Sequence, residues 1–301
     1  MSPETISPNE RYSEYDAWAW LYNETMGPQY SQNQLQPLEK MLLPRLTENA
    51  QLLDLCCGTG HLVQSLIERG YQVMGVDGSE QMLNYARQNS PDGKFLLGDA
   101  RYFELPPVFD AVFSTSASLN HIMTIQELQQ VFQRVYTALK DGGWFLFDIN
   151  HHEQMQRWWN GEIAEGEIAN KYAWTLTPNY NSSNSIGYFQ VTMFQATSKP
   201  SSSLLRTTWR GLSPILNLQF LYRWRLRLLS AFQAQEKTWK RMDMRYPVRG
   251  YYPEEIKTLL QKVGFVDIDI RTLEDSTTID NKHSAYFLCR KPAHIAVLNE
   301  L

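Results

Sequence analysis

Two carboxylates bracket a glycine turn, and their spacing sets the first expectation. Asp54 stands four residues before Gly58, Gly60 follows two residues later, and Asp77 lies one helix and one strand beyond. The apolar run 51–56 reads as a buried strand that ends in a tight turn. From Thr59 the apolar period becomes helical, with Leu62, Val63, Leu66 and Ile67 on one face. Arg69-Gly70 closes that helix with a cation in its last turn and a glycine just past it. A second strand, 71–76, ends on Asp77. A strand, glycine turn, helix, strand unit with an acid at the second tip suits an adenosine-containing ligand. Glycines let the backbone approach it, and the acid accepts hydrogen bonds from the two ribose hydroxyls.

The spacing also says which ligand. The dinucleotide fingerprint needs a third glycine where Val63 stands. Asp54, at the strand end, would repel a pyrophosphate but suits an ammonium group. S-adenosylmethionine has an ammonium and no phosphate. The stretch Asp54-Leu-Cys56-Cys-Gly58-Thr-Gly60 resembles the first motif of class I S-adenosylmethionine-dependent methyltransferases, with Cys56 in place of the first glycine. A side chain at Cys56 narrows the pocket.

Further motifs follow in order. Tyr15-Asp16-x-x-Ala19-x-x-Tyr22 resembles the N-terminal cap helix of small-molecule methyltransferases, which folds over the cofactor; the same aromatics also suit a helix face packed on the core. Residues 35–46 read as a second helix. Ser79 is a good N-cap for a helix with Met82, Leu83, Tyr85 and Ala86 on one face. A third strand, 95–97, closes on Gly98-Asp99-Ala100; the family's acid here binds the adenine amino group, although a plain turn aspartate fits as well. A fourth strand, 109–113, runs into the small polar loop 114–121. Ser118-Leu119-Asn120-His121 resembles the Ser-x-Asn-Tyr version of that loop. Thr124 and Glu127 form a capping box ahead of a helix with Leu128, Val131, Phe132, Val135 and Leu139 inward. Asp141-Gly142-Gly143 reads as a turn into a fifth strand, 144–149. His151-His152-Glu153 reads as a helix start at the crevice rim rather than a metal site, which needs three or four ligands of fixed geometry.

Beyond Trp159 the helical stripes vanish. Residues 171–177 and 186–196 carry strand-like spacing around a turn at 181–185. Residues 204–250 hold ten Lys or Arg against Glu236 and Asp243. Between 216 and 228 apolar residues alternate with Arg223, Arg225 and Arg227, which favours a strand, while Ser213-Pro214 is a good helix start; the conflict stays open. The run 246–255 leads into a helix with Ile256, Leu259, Leu260 and Val263 inward, which ends at Gly264-Phe265; 266–270 and 284–289 read as the last two strands, paired antiparallel in the family.

The fold expected is α/β: a Rossmann-like, seven-stranded, mostly parallel sheet with an antiparallel last strand, plus an inserted, mainly antiparallel β lid. The domain plan is cap helices over 1–46, a cofactor-binding core over 47–161 and 249–291, a substrate lid over 162–248 and a tail over 292–301. The likeness extends to glycine and aminosugar N-methyltransferase-like enzymes. It implies cofactor contacts from Tyr22, Asp54, Cys56, Gly58 and Gly60, from Asp77, Gly78 and Met82, from Asp99 and Ala100, and from Ser114. Tyr15, Asn120, Asn150 and Arg249 would face the substrate. His121, whose ordinary pKa suits neutral pH, is the candidate base; a helix-leading histidine with a structural bond is the alternative.

Composition narrows the partners. The 301 residues are 43% hydrophobic and 20% charged with a net charge of −4, which is globular and gives no general pull toward nucleic acid. Cys56, Cys57 and Cys289 have neither zinc nor disulfide-framework spacing, which fits a reducing cytoplasm. The start has no signal-peptide pattern, and no apolar run reaches membrane-spanning length. The acceptor expected is a small molecule, anionic if the basic lid recognises it, and the lid also offers a surface for pairing two copies. The competing readings are a protein or nucleic-acid methyltransferase, a nicotinamide-dependent oxidoreductase, and a non-catalytic S-adenosylmethionine-binding relative.

Overall fold

The computed structural model describes residues 15–169, 171–196, 222–235, 239–274 and 276–293. The chain divides into two compact units, Met1–His151 with Tyr251–Leu301, and His152–Gly250.

The first unit opens with α1 (Ala19–Glu24) and α2 (Met26–Pro37). Past Pro37 the chain continues as a π turn over Leu38–Leu42 and a 3-10 turn over Leu43–Arg45, so the expected helix over 35–46 begins earlier and loses α geometry where proline withholds its N–H. Strands and helices then alternate: β1 (Gln51–Leu55), α3 (His61–Ile67), β2 (Gln72–Asp77), α4 (Glu80–Asn89), β3 (Lys94–Leu97), β4 (Phe109–Ser114), α5 (Ile125–Ala138) and β5 (Leu139–Ile149). The expected turn at Asp141–Gly143 is instead absorbed within β5, where Gly142 takes φ +80° and the register against β4 shifts.

After the second unit come α8 (Pro253–Val263), β10 (Val266–Arg271) and β11 (Ala285–Arg290). The seven strands lie in the order β10-β11-β5-β4-β1-β2-β3. The pairings among β1 to β5 are parallel, and β11 is antiparallel to both β5 and β10. This is the expected sheet. Alternate side chains leave its opposite faces: Leu53, Val112, Phe145 and Phe147 join Phe132 of α5 and Leu260 of α8, while Leu52, Ala111 and Leu146 join Leu66 of α3 and Leu83 of α4. Strands buried on both faces explain why β1, β4 and β5 read as near-continuous apolar runs. The strand order reverses between β1 and β4, which opens a crevice at their carboxyl ends.

The second unit holds α6 (His152–Trp158), β6 (Glu165–Ile168), β7 (Tyr172–Asn181), β8 (Ile186–Gln195), α7 (Tyr222–Gln235) and β9 (Lys240–Arg249). Its sheet is antiparallel throughout in the order β6-β7-β8-β9. The β7–β8 hairpin closes on Asn181 and Ile186, and Asn181 Oδ1 accepts the Ser183 N–H at 3.0 Å, an Asx turn. From 222 onward the contested segment is helical; its earlier part lies outside the described residues. Leu226 and Leu229, three apart, pack with Ile168, Ala173 and Phe194, so tertiary contact selects the helical period over the alternating one.

The first unit's chain leaves and returns at neighbouring points, because His151 and Tyr251 form a parallel bridge. His151 is buried and donates through Nε2 toward the carbonyls of Asp280 at 2.9 Å and His283 at 3.1 Å. Among the described residues, no helix is long and apolar enough to cross a membrane.

Candidate cofactor and acceptor site

The glycine loop is held by backbone geometry that only part of its sequence advertises. β1 stops at Leu55 because Cys56 takes φ +67°; Gly58 and Gly60 follow at +53° and +74°. Cysteine thus occupies a left-handed position where glycine is the unstrained choice. The amides of Cys56 and Cys57 both donate to the Val76 carbonyl, at 2.8 and 3.1 Å, which ties the loop to β2. A Cβ on Gly60 would lie 2.8 Å from that of Ala86, so this glycine permits the close approach to α4.

Asp77 organises the turn. Its Oδ2 accepts the Gly58 N–H at 2.8 Å and its Oδ1 the Ser79 N–H at 2.9 Å. Burial pushes its carboxyl up, and the amides of Ser79 and Gly58 oppose that push. Gly78 also contributes an amide to it. Ser79 caps α4 by accepting the Met82 N–H at 3.2 Å, and its hydroxyl donates to Asp16. Asp16 also accepts the Gln81 N–H at 3.2 Å, which fastens the Tyr15–Tyr22 segment to the start of α4.

A cavity opens beside this loop. Asp54, Cys56 and Gly60 line it from one side, Tyr22, Tyr30 and Gln34 from the N-terminal helices, and Thr115, Ser116 and Ser118 from the loop after β4. Its helical wall comes close at Gly27, where a Cβ would meet Thr59 Oγ1 at 2.7 Å. Asp54 is only 2% exposed, and burial first, then the neighbouring Asp77, push its carboxyl well above the usual range. Gln34 Oε1 is buried without a hydrogen-bond partner. No Lys or Arg is among the described lining residues, and His61, beside Thr59 Oγ1 at 3.0 Å, is driven toward its neutral form by burial. The cavity is therefore rich in acceptors. A buried carboxylate is costly unless a cation meets it, so the complementary ligand brings its own positive charge.

The tips of β4 and β5 are sewn together. Asn120 is 1% exposed; its Nδ2 donates to the Asn150 carbonyl at 2.8 Å and its Oδ1 accepts the Asn150 N–H at 2.9 Å. Asn150 Oδ1 accepts from Ser284 at 3.1 Å. Both groups of the Asn120 amide are thus engaged by main chain, and its first role is to join two loops. Closer to β4, Ser116 and Ala117 take φ +60° and +54°, and the Ala117 N–H donates to both Asp148 oxygens, at 3.0 and 3.1 Å. His121 ends the short 3-10 turn Ser118–His121. The Tyr15 hydroxyl lies 2.9 Å from its Nε2 and 3.0 Å from its Nδ1, and the two rings meet edge-on.

At the tip of β3, Asp99 is already engaged. Arg101 donates to it from its backbone at 2.8 Å, from Nε at 3.0 Å and from a terminal nitrogen at 2.6 Å, and also reaches Glu127. Neighbouring Ala100 and, on α4, Met82 are buried, as is Ser114 at the end of β4. Arg249 closes β9 in the second unit, opposite Ile186.

The structure thus brings Tyr22, Asp54, Cys56 and Gly60 to one cavity, sets Asp77 and Gly58 behind it, and joins Tyr15 to His121. Sequence reasoning missed Gln34, Tyr30 and His61 on the cavity wall, Arg101 on Asp99, and Asp148 beneath the β4 loop. Arg101 follows Asp99 by two residues and Asp148 ends an apolar strand; those were the available signals.

Residues 52–143 match the family model described as a methyltransferase domain. The putative methyltransferase YqeM of Bacillus subtilis is 34% identical over 140 residues, 45% of this chain and 55% of that protein. The dTDP-3-amino-3,4,6-trideoxy-alpha-D-glucopyranose N,N-dimethyltransferase of Streptomyces venezuelae is 31% identical over 126 residues, 42% of this chain and 50% of that enzyme. The chain therefore spans about half the length of these two relatives. In overall fold it is similar to an S-adenosylmethionine-dependent methyltransferase of Clostridium acetobutylicum, with TM-score 0.65, 18% identity, and coverage of 93% of this chain and 99% of that one.

Proposed function

We propose that this chain, whose residues 52–143 match a methyltransferase domain, transfers a methyl group from S-adenosylmethionine to an oxygen or nitrogen of a small molecule. The observation that carries the reading is the buried Asp54 in a cavity whose described wall holds no Lys or Arg. That wall suits the ammonium of a methionine moiety and opposes a pyrophosphate. When bound, S-adenosylmethionine supplies an electrophilic methyl on a sulfonium.

The chain's own residues divide the remaining work. Asp54, with Gln34 Oε1 on the helical wall of the same cavity, takes the ammonium. The turn held by Asp77 presents the glycine amides and, once its own hydrogen bonds rearrange, a carboxylate to the ribose. The β4 loop forms the acceptor side. Transfer of this kind is an in-line displacement, so holding the reactants collinear supplies most of the rate. A nucleophile that carries a proton at neutral pH needs a base, and the Tyr15–His121 pair provides one with a hydrogen-bonded partner. Titration calorimetry with S-adenosylhomocysteine and with NAD tests the assignment. Binding of the first and not the second is expected; tight NAD binding without a response to S-adenosylhomocysteine overturns it.

The second unit supports a finer reading. Lys240, Arg241, Arg245 and Arg249 lie along β9, and the dTDP-amino-sugar enzyme above acts on a nucleotide-linked, hence anionic, small molecule; we assign this chain an anionic acceptor as well. Among the described strands β9 is an edge, a surface on which two copies could pair; light scattering decides that. All three cysteines are free, which suits a reducing cytoplasm.

A further inference from the structure

We propose that Asp148 is a positioning residue for methyl transfer: by clamping the Ala117 amide from the tip of β5, it holds the β4 loop in the shape that builds one wall of the cofactor cavity and sets the approach of His121. The inference rests on reading that cavity as the cofactor's.

Three observations carry it. Ser116 and Ala117 are consecutive non-glycine residues in the left-handed region. Such a conformation is strained for a residue that carries a Cβ and persists only where the surroundings fix it. What fixes it here is a carboxylate. The Ala117 N–H points between both Asp148 oxygens, at 3.0 and 3.1 Å, and the Ser116 backbone also bonds to Asp148. Successive amides around such a kink form a small anion-binding concavity, and a side chain of the protein itself fills it.

The residues so fixed are those the site uses. Ser116 lies on the cavity wall between Thr115 and Ser118, and the 3-10 turn that begins at Ser118 ends at His121. The Asn120–Asn150 pair fastens the far end of the same loop to the residue that follows β5. The loop is thus tied at two points to the carboxyl end of β5, and only the Asp148 tie bears charge.

Asp148 also has a neighbour that reaches the opposite wall. It sits across from Tyr286 in the β5–β11 ladder, and the Tyr286 phenol receives a hydrogen bond from the Gln34 side chain. Burial and the Asp148 carboxylate both push that phenol up, so it stays protonated. Tyr286 from β11 is the titratable group facing Asp148 from the neighbouring strand, and the β4 loop contributes amides only. Burial pushes the Asp148 carboxyl up to about 7, against the pull of those amides. The clamp is therefore stronger above neutrality, where the acceptor is ionised, than below it.

The test uses the full chain with Asp148→Asn and Asp148→Ala. Amide hydrogen exchange, read on residues 114–121, needs no ligand. In the wild type the protection of Ala117, corrected for intrinsic rates, should be greater at pH 8 than at pH 6. Asp148→Ala should lower it by about tenfold or more, the equivalent of one hydrogen bond to a charged group. Asp148→Asn keeps an acceptor oxygen and should retain part of the protection with no pH dependence between those values. S-adenosylhomocysteine affinity should fall in the same order, Asp148→Ala most. A folded Asp148→Ala variant with unchanged protection and affinity overturns the proposal. If Asp148→Ala fails to fold, an Asp148→Asn variant that keeps the wild-type pH dependence overturns it instead. A wild type that binds no S-adenosylhomocysteine but shows the exchange pattern refutes the cofactor reading and leaves the clamp standing.

Discussion

Asn120 and Asn150 pair as two strand residues would, except that one partner is a side chain: the Asn120 amide both donates to and accepts from the Asn150 main chain, at 2.8 and 2.9 Å. Asn120→Ala takes the partner from two partly buried backbone groups of Asn150. The expected loss is about 2 kcal/mol of stability, read by urea unfolding. Asn120→Asp should be worse, because a carboxylate would face the Asn150 carbonyl where an N–H stood. Equal stability of all three proteins would mean that water replaces the pairing at no cost.

Asp54→Asn should act in opposite directions on binding and on stability. A buried carboxylate without a cation is unfavourable, so the ligand-free variant should melt above the wild type at pH 8. Its S-adenosylhomocysteine affinity should fall at least about tenfold, as expected for one hydrogen bond to a charged group. Calorimetry and a melting scan on the same preparations read both signs, and a gain in affinity would exclude an ammonium at this carboxylate.

Asp77→Ala should cost more affinity than Asp99→Ala. Asp77 holds the Gly58 and Ser79 amides, and the proposed contact with the ribose hydroxyls falls to it as well. Asp99 is largely committed to Arg101, at 2.6 Å. Dissociation constants for the two variants, measured side by side, should differ by several-fold in that order.

Arg101→Met should be destabilising out of proportion to its size. It would leave Asp99 and Glu127 without their shared cation, and removing one partner of a buried ion pair costs about 3 kcal/mol or more. The double variant Arg101→Met/Asp99→Asn should recover part of that loss, which a thermodynamic cycle measures.

Stability should fall as pH rises through neutrality. Burial raises the Asp148 carboxyl in the folded protein from the ordinary aspartate range to about 7. A carboxyl whose folded pKa is raised contributes stability that is complete below its unfolded pKa and is lost as pH rises through the folded pKa. The direction is the same for Asp54 and Asp77. Wild-type melting temperature should therefore decline between pH 5 and pH 8, and Asp148→Asn should flatten the decline. A parallel decline in both proteins would place the titration elsewhere.

What could be read from the sequence is what depends on local pattern. The Thr124–Glu127 capping box and the Ser79 cap act within a few residues of themselves, and the acids Asp54, Asp77 and Asp99 stand at or near strand ends that the local apolar pattern marks. What escaped was long-range. Gln34 meets the cavity only because α2 packs against the loop at Gly27, and nothing in its neighbourhood signals that. Asn120 reads as a polar loop residue until Asn150, thirty positions away, is beside it. Around 222 the local pattern actively misled: the Arg223, Arg225, Arg227 alternation is a strand signal, but Leu226 and Leu229 meet β6 and β7 at helical spacing. Cys56 was legible as a departure from glycine, though not that it would take the left-handed backbone of the glycine it replaces.

The bridge between His151 and Tyr251 has a consequence for modularity. The 99 residues of His152–Gly250 enter and leave the first unit through adjacent positions, so the sheet's own chain path is nearly closed without them. Such an insertion can be excised and replaced, as circular permutants and domain grafts are made, wherever chain ends lie close together. The segment that carries the excess of Lys and Arg is also the one that could be exchanged without re-threading the sheet.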